Sequence, residues 1–229
     1  MFSNTWYDAL VRTFDLVFAV LFVLILSPLL TLVSIVLLLT GEGQVVYRQL
    51  RKGRGSKNFY VLKFATMAQN SPSMDGGLLT QRNDPRVLPV GKFLRKTKIN
   101  ELLQFFNVIA GDMSVVGPRP IAPEHFAMYP KSYSHVYDSL RPGLTGLGSV
   151  IFSDEEAVMA KCGEDPMVFY EKSIMPYKAA LEDWYLNNRS FRLNLKIIVW
   201  TAIKVLGVKL DASKYAGIPR PPEKLSSLL

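Results

Sequence analysis

The stretch Leu16-Val17-Phe18-Ala19-Val20-Leu21-Phe22-Val23-Leu24-Ile25-Leu26-Ser27-Pro28-Leu29-Leu30-Thr31-Leu32-Val33-Ser34-Ile35-Val36-Leu37-Leu38-Leu39 decides the fold, because its 24 consecutive positions carry no charged side chain. About 20 apolar residues suffice for a helix to cross a bilayer. A signal peptide would have a shorter apolar core and a small-residue cleavage site after it. Neither is present, so the segment is expected to be retained. Ser27-Pro28 sits at the middle of the run. Proline removes one backbone hydrogen bond and crowds the preceding turn. The helix is therefore expected to kink or break at Ser27-Pro28, with the Ser27 hydroxyl available to satisfy the freed carbonyl. The residues alone leave two topologies open: a kinked single-pass helix, or a re-entrant helix that turns back near mid-membrane.

Outward from the run, the flanks differ. Gln44 to Met74 contains six cations (Arg48, Arg51, Lys52, Arg54, Lys57 and Lys63) and no acid, whereas the N-terminal flank offers Arg12 offset by Asp8. Excess cations mark the cytoplasmic side of a membrane segment, which places the main domain inside. The 229 residues carry 27 Lys and Arg against 19 Asp and Glu, a net charge of +8. That balance points to an anionic partner: nucleic acid, a phosphorylated substrate or an acidic membrane surface. The apolar run favours the last two. A single cysteine, Cys162, excludes an internal disulfide framework and a four-cysteine zinc site and fits a reducing compartment. At 49% hydrophobic residues the chain is too apolar to be disordered.

Val45-Val46-Tyr47 and Phe59-Tyr60-Val61-Leu62, separated by a basic stretch with Gly53 and Gly55, predict a β-hairpin. Residues 69–85 are polar and predict a loop. Leu102, Leu103, Phe105, Phe106 and Ile109 recur at helical spacing, and Gly111 ends the pattern. Gly117-Pro118-Arg119-Pro120 must be an irregular, rigid turn. Residues 123–139 read as helical, and Arg141-Pro142-Gly143 with Gly146 and Gly148 as a loop. Residues 154–188 read as helical pieces broken at Asp165-Pro166 and at Pro176. Phe191 to Leu210 is apolar, cationic and Trp-bearing, the character of a helix lying in the membrane interface; an ordinary helix against the domain core is the alternative. The Pro-rich tail after Ser213 is expected to be loosely ordered.

No P-loop, dinucleotide-binding glycine motif, zinc-protease motif or nucleophile elbow is present. His125 and His135 are the only histidines, too few for a zinc site without cysteine partners. What remains is charge concentrated in short loops. Arg95, Lys96 and Lys98 precede Asn100-Glu101 at a helix start, and Asp112 and Arg119 follow. Cations beside a helix N-terminus suit a phosphate. Arg119, held between two prolines, is a preorganised bidentate phosphate donor. A carboxylate there could hold Mg²⁺ or attack phosphorus. Ordinary structural roles compete: Asn100 is a good N-cap and Glu101 complements the dipole, Lys96 and Lys98 could form a solvated face, and Arg119 could pair with a structural carboxylate.

Lys96-Thr97-Lys98-Ile99-Asn100-Glu101-Leu102-Leu103-Gln104-Phe105-Phe106-Asn107-Val108, followed by Gly111-Asp112-Met113-Ser114-Val115-Val116-Gly117-Pro118-Arg119-Pro120, resembles the bacterial sugar transferases, the monotopic phosphoglycosyl transferases. Lys63-Phe64, Thr66-Met67, Arg141-Pro142-Gly143-Leu144-Thr145-Gly146 and the apolar start with Ser27-Pro28 extend the likeness over nearly the whole chain. The resemblance implies an α-rich (α+β) monotopic membrane protein of the small, catalytic-domain-only form. Its parts would be a re-entrant helix broken at Ser27-Pro28 (residues 1–41), a cytoplasmic-face catalytic domain with a small β-hairpin and interfacial amphipathic helices (42–212), and a Pro-rich tail (213–229). The activity implied is transfer of a sugar-1-phosphate from a UDP-sugar to polyprenol (undecaprenyl) phosphate with release of UMP, at the bacterial inner membrane, opening glycoconjugate assembly. In the family an aspartate attacks the sugar-bearing phosphate and the lipid phosphate then attacks the phospho-sugar enzyme, with Mg²⁺ as cofactor. Arg95, Glu101 and Arg119 match active-site positions, with Glu101 the metal-binding carboxylate. Lys63 matches a lysine expected at the substrate phosphates, Arg141 lies in a loop expected at the nucleotide, and Glu182 matches an acidic position expected at substrate. Implied partners are the UDP-sugar, polyprenol phosphate and membrane lipid, with downstream glycosyltransferases and a second copy as further candidates, and no nucleic acid.

One departure touches the chemistry. The family has Asp-Glu where this chain has Asn100-Glu101, and a carboxamide is neither a nucleophile nor an equal metal ligand. Three accounts follow: a natural branch in which Glu101 is the key carboxylate, which is favoured; direct displacement without a covalent intermediate; or an inactivated relative that binds the lipid carrier or a partner as a scaffold. A nucleic-acid-binding anchored protein is a weaker rival, because the cations cluster beside the apolar segment. The sugar is not legible, although 153–176 could bear on it.

Overall fold

The computed structural model describes residues 5–71, 84–129, 133–208, 210–215 and 217–229. The chain is helix-rich and forms two compact units: Met1–Leu50 with Tyr60–Val115, and Arg51–Phe59 with Val116–Leu229.

In the first unit, α1 (Thr5–Thr40) runs without interruption through Pro28. The break expected at Ser27-Pro28 is therefore not an end of helix. The reason is visible in the hydrogen bonds. Pro28 leaves the Leu24 carbonyl without its N–H donor, and the Ser27 hydroxyl takes that place at 2.8 Å. Most of the apolar face of α1 is exposed, with Leu24 at 63% and Ile25 at 72%. Its other face is docked. Leu30, Val33 and Leu37 join Phe64, Leu94 and Leu103 in a buried cluster. Phe22 stacks on Phe105 at 4.9 Å between ring centres. The polar end of the helix is held too. The Arg12 guanidinium donates to the carbonyls of Val108 (2.7 Å) and Ile109 (3.0 Å). These belong to the last turn of α3 (Gln104–Ala110), where carbonyls lack intrahelical donors and a cation is favoured. Asp15, buried, accepts from Ser114 Oγ (2.6 Å) and Val115 N (3.0 Å).

β1 (Val46–Lys52) and β2 (Asn58–Phe64) form the expected hairpin. Asn107 on α3 fastens β2 with both ends of its amide, donating to the Tyr60 carbonyl (2.8 Å) and accepting from Leu62 N (2.9 Å). α2 (Pro89–Lys96) leads through Lys98, at φ +59°, into a 3₁₀ turn at Ile99–Glu101. Of the predicted polar loop 69–85, residues 72–83 lie outside the described residues; at its end Asp84 and Arg86 form a buried ion pair of 2.6 Å.

The second unit is built on two loops that touch backbone to backbone. Gly117 N donates to the Thr145 carbonyl (2.9 Å) and Gly143 N to that of Pro118 (2.8 Å), continuing the pairing of β3 (Ser114–Val116) with β4 (Gly143–Thr145). No side chain fits at this crossing: a Cβ on Gly143 would lie 2.1 Å from Gly117 N, and one on Gly146 2.1 Å from Gly117 O. The unit continues through α4 (Pro123–Met128), α5 (Ser134–Ser139), α6 (Leu147–Ile151), α7 (Glu155–Ala160) and α8 (Pro166–Phe169); α4 and α5 lie in the stretch 123–139 expected to be helical, of which 130–132 lie outside the described residues. Pro166 starts a helix as predicted, capped by Asp165. Pro176 does not break one. A π-helical stretch at Tyr170–Ile174 widens the preceding turn and the chain continues into α9 (Met175–Asn188), because the wider turn relieves the clash of the proline ring with the carbonyl four residues back.

α10 (Phe191–Val205) is capped by Ser190 and stops at Gly207, φ +78°, short of the expected Leu210. It buries Leu193 and Ile197 yet leaves Leu195, Val199 and Val205 exposed, so it is apolar on two faces rather than one. The Pro-rich tail, expected to be loose, is packed: Ile218 and Leu225 are buried, Tyr177 OH donates to the Pro219 carbonyl (2.9 Å), and Lys224 pairs with Glu164 (2.6 Å). Two apolar anchors and these polar ties offset the entropy of ordering it.

Gly143→Ala is expected to lower stability by about 1–3 kcal/mol through backbone overpacking, read as a drop of about 2–10 °C in the unfolding midpoint; an unchanged midpoint would contradict the crossing described above.

Candidate functional site

In the first unit, β2 carries Lys63, the last turn of α2 carries Arg95, and the turn at Ile99–Glu101 carries Asn100 and Glu101. Of these, Lys63 and Glu101 are brought together, Nζ to Oε1, at 3.8 Å, both side chains about one-fifth exposed. A lysine beside a partly exposed carboxylate is a setting in which a phosphate can share the cation. Asn100 is 8% exposed, and its Oδ1 has no hydrogen-bond partner. It is not the N-cap of α3, which starts four residues later behind Leu103 and has no side-chain cap. The turn that Lys98 initiates at positive φ aims the carboxamide inward instead.

A hard dication takes oxygen donors and commonly binds through one or two carboxylates plus substrate phosphates. Glu101 and the unpartnered Asn100 Oδ1 are donors of that type on one turn. No group of three or more His, Cys, Asp or Glu side chains forms a cage among the described residues, so the donor set fits Mg²⁺ only as a partial shell completed by substrate and water.

In the second unit, Arg119 is exposed while Gly117 and Pro118 before it are buried, and Arg141 is half-buried in the loop that crosses Gly117. Glu182 on α9, expected at substrate, is 3% exposed. Its carboxyl accepts from the backbone N–H groups of Gly148 and Arg119, and Oε2 has no partner. Burial pushes this carboxyl up to about 8, against the smaller opposing pull of those N–H groups and of Lys178. The dry surroundings include Tyr137 and Tyr133, themselves buried and packed edge to face at 5.6 Å. Tyr137 OH donates to the Arg119 carbonyl. Nothing in the sequence marked Tyr137: it reads as one more aromatic in a short helix, and its hydroxyl acquires a role only from the chain packed over it.

A carboxyl with a folded-state value near 8, raised from 4.5, destabilises the fold progressively as pH climbs from about 4.5 to about 8, because the unfolded chain releases its proton first. Glu182→Gln removes that penalty. The variant is expected to match the native protein near pH 5 and to exceed it at pH 9 by up to roughly 4 kcal/mol. Thermal unfolding in detergent at the two pH values checks this, and an equal offset at both would show that the carboxyl stays ionised.

Comparison with known proteins meets the same residues. The model of the family described as bacterial sugar transferase matches residues 6–208. The chain is 34% identical over 200 residues to the UDP-glucose:undecaprenyl-phosphate glucose-1-phosphate transferase of Xanthomonas campestris pv. campestris, covering 85% of this chain and 38% of that protein. It is 40% identical over 155 residues to the undecaprenyl-phosphate glucose phosphotransferase of Komagataeibacter xylinus, covering 64% of this chain and 29% of the relative. It is 37% identical over 150 residues to the UDP-N-acetylgalactosamine-undecaprenyl-phosphate N-acetylgalactosaminephosphotransferase of Aeromonas hydrophila, 63% of this chain and 34% of that one. The chain thus spans about a third of the length of these relatives. The family match takes in both the Lys63–Glu101 pair and the loop of Arg119, and the chain belongs to the bacterial sugar transferase family.

Proposed function

We propose that this protein transfers a sugar-1-phosphate from a UDP-sugar to undecaprenyl or another polyprenol phosphate, releasing UMP and starting a membrane-bound glycan. The observation that carries the proposal is the Lys63–Glu101 pair, on a turn where Glu101 is the only carboxylate. Relatives named for this reaction support it. Glu101 attacks the sugar-bearing phosphorus; a P–O bond to the bridging oxygen breaks, and UMP leaves with that oxygen and the electron pair. An oxygen of the polyprenol phosphate then attacks the same phosphorus, and the Glu101 carboxylate departs unchanged. Lys63 balances phosphate charge as Glu101 turns from anion to acyl phosphate. Arg119 and Arg141, in the second unit, match family positions and carry planar donors of the kind that bind phosphate oxygens. Mg²⁺, held by Glu101 and Asn100 Oδ1, would neutralise charge on the diphosphate. Asn100 accepts or ligates rather than attacks.

The membrane arrangement belongs to the same proposal. α1 is fixed to one unit near both ends, by Arg12 and Asp15 and again by Leu30, Val33 and Leu37. A helix crossing the bilayer would carry one of those ends to the far side. Docking of both supports a course that does not cross the bilayer, with the domain on the cytoplasmic face of the inner membrane, and the exposed side chains Leu195 and Val199 of α10 suit an interfacial position.

With purified protein, Mg²⁺, polyprenol phosphate and a panel of UDP-glucose, UDP-galactose and UDP-N-acetylgalactosamine, UMP release is expected with at least one donor. Glu101→Gln is expected to reduce it about a thousandfold or more, as loss of a nucleophile does. A fully active Glu101→Gln sinks the assignment, and silence of the native chain with every donor favours the scaffold role that Asn100 suggests. In intact spheroplasts, a tag at residue 1 is expected to be protected from external protease; cleavage of that tag would establish a single-pass course.

A further inference from the structure

Arg119 sits between two residues that have no backbone donor. Pro118 and Pro120 leave its N–H as the one amide hydrogen of that tripeptide. That N–H goes to the carboxyl of Glu182, and the Arg119 carbonyl takes the hydroxyl of Tyr137. Both backbone groups of an exposed arginine are therefore held by side chains that are themselves buried. The same carboxyl also receives the N–H of Gly148, in the first turn of α6 just beyond the Arg141–Gly146 loop. There is no slack in this contact: a Cβ on Gly148 would lie 2.8 Å from Glu182 Oε1.

We infer that Glu182, assisted by Tyr137, is a positioning residue that sets the backbone of Arg119 and thereby presents its exposed guanidinium for binding a phosphate, without touching substrate itself. The inference rests on the proposed function and deepens it. Bidentate recognition of phosphate needs the fork placed within about half an ångström and 10–20°. A long side chain on an untethered loop spends its binding energy on ordering that loop. Two prolines narrow the backbone torsions, and Gly117 and Pro118 are tied to the loop of Gly143; the backbone groups of Arg119 itself are held by Glu182 and Tyr137. Since burial holds the carboxyl up to about 8, it is largely protonated at neutral pH, and glutamine is its closest isostere, accepting the same N–H groups through Oε1.

Two measurements on the full chain in detergent test this. In the first, hydrogen exchange is followed in the peptide spanning 117–121, where the prolines leave few reporting amides. Exchange is expected to be slow in the native protein and in Glu182→Gln, and at least about tenfold faster in Glu182→Ala, with the change confined to this peptide and the start of α6. Unchanged exchange, or equal acceleration along the whole chain, overturns the inference whether or not the protein turns over substrate. In the second, UMP release is measured in a double-mutant cycle. Glu182→Ala is expected to lower kcat/KM about 10–100-fold, Glu182→Gln to recover it to within about threefold, and Glu182→Ala added to Arg119→Ala to cost less than about twofold more. A full additional loss in the double variant shows action independent of Arg119 and overturns the inference. Absence of UMP release from the native chain counts against the proposed function alone, because the exchange measurement still decides the role of Glu182. Should Glu182→Ala fail to fold, Tyr137→Phe, which removes one hydroxyl, takes its place in both arms.

Discussion

A buried carboxylate on an otherwise apolar helix is tolerated only if its oxygens are bonded, and Asp15 is such a group. By accepting from Ser114 Oγ and Val115 N it fixes where the polar end of α1 must lie, and Arg12, one turn away, closes the carbonyls that α3 leaves open. Everything else in the first unit is consistent with that register. The apolar side chains Leu30, Val33 and Leu37 meet Phe64, Leu94 and Leu103, and α3, held at its end, uses Asn107 to fasten β2, the strand of Lys63. Lys63 reaches Glu101 from a strand whose position traces back, through α3, to two charged residues of the N-terminal helix.

The second unit obeys a different constraint, backbone against backbone. Gly117, Gly143 and Gly146 remove every side chain from a crossing where atoms approach to ordinary hydrogen-bond distance. Close approach of two loops exposes their remaining amides to a dry interior, where each needs a partner. Glu182 and Tyr137 are the partners for Arg119. Function-bearing side chains thus project from the loops while their backbones are committed inward.

Local chemistry made much of this legible. Twenty-four uncharged positions announced α1, the alternating aromatic runs announced the hairpin, and Gly111 closed α3 where its spacing said it should. Long-range compensation hid the rest. Pro28 looked like a break because its lost bond is written in the sequence; the Ser27 hydroxyl expected at the freed carbonyl does take that place, and the helix runs on through the proline. Asn100 looked like an N-cap because its side chain suits one, yet Lys98 at positive φ turns the chain before the helix begins. Glu182 was expected at substrate, by its match to an acidic family position. Its burial and its two amide donors come from residues 34 and 63 positions away, which no local pattern records.

The exposed ridge of α1 has a consequence for how the protein reaches its native state. Leu21, Leu24, Ile25, Leu32 and Leu38 stay exposed although the other face of α1 is docked on its own unit, so folding in plain buffer ends in a form that still presents a long apolar surface. Such a surface associates with its own kind faster than it waits for a lipid. The inner face of the helix, Leu30, Val33 and Leu37, precedes its partners Phe64, Leu94 and Leu103 in the chain, so an apolar medium that covers the outer face leaves the inner one free as the template on which the first unit condenses.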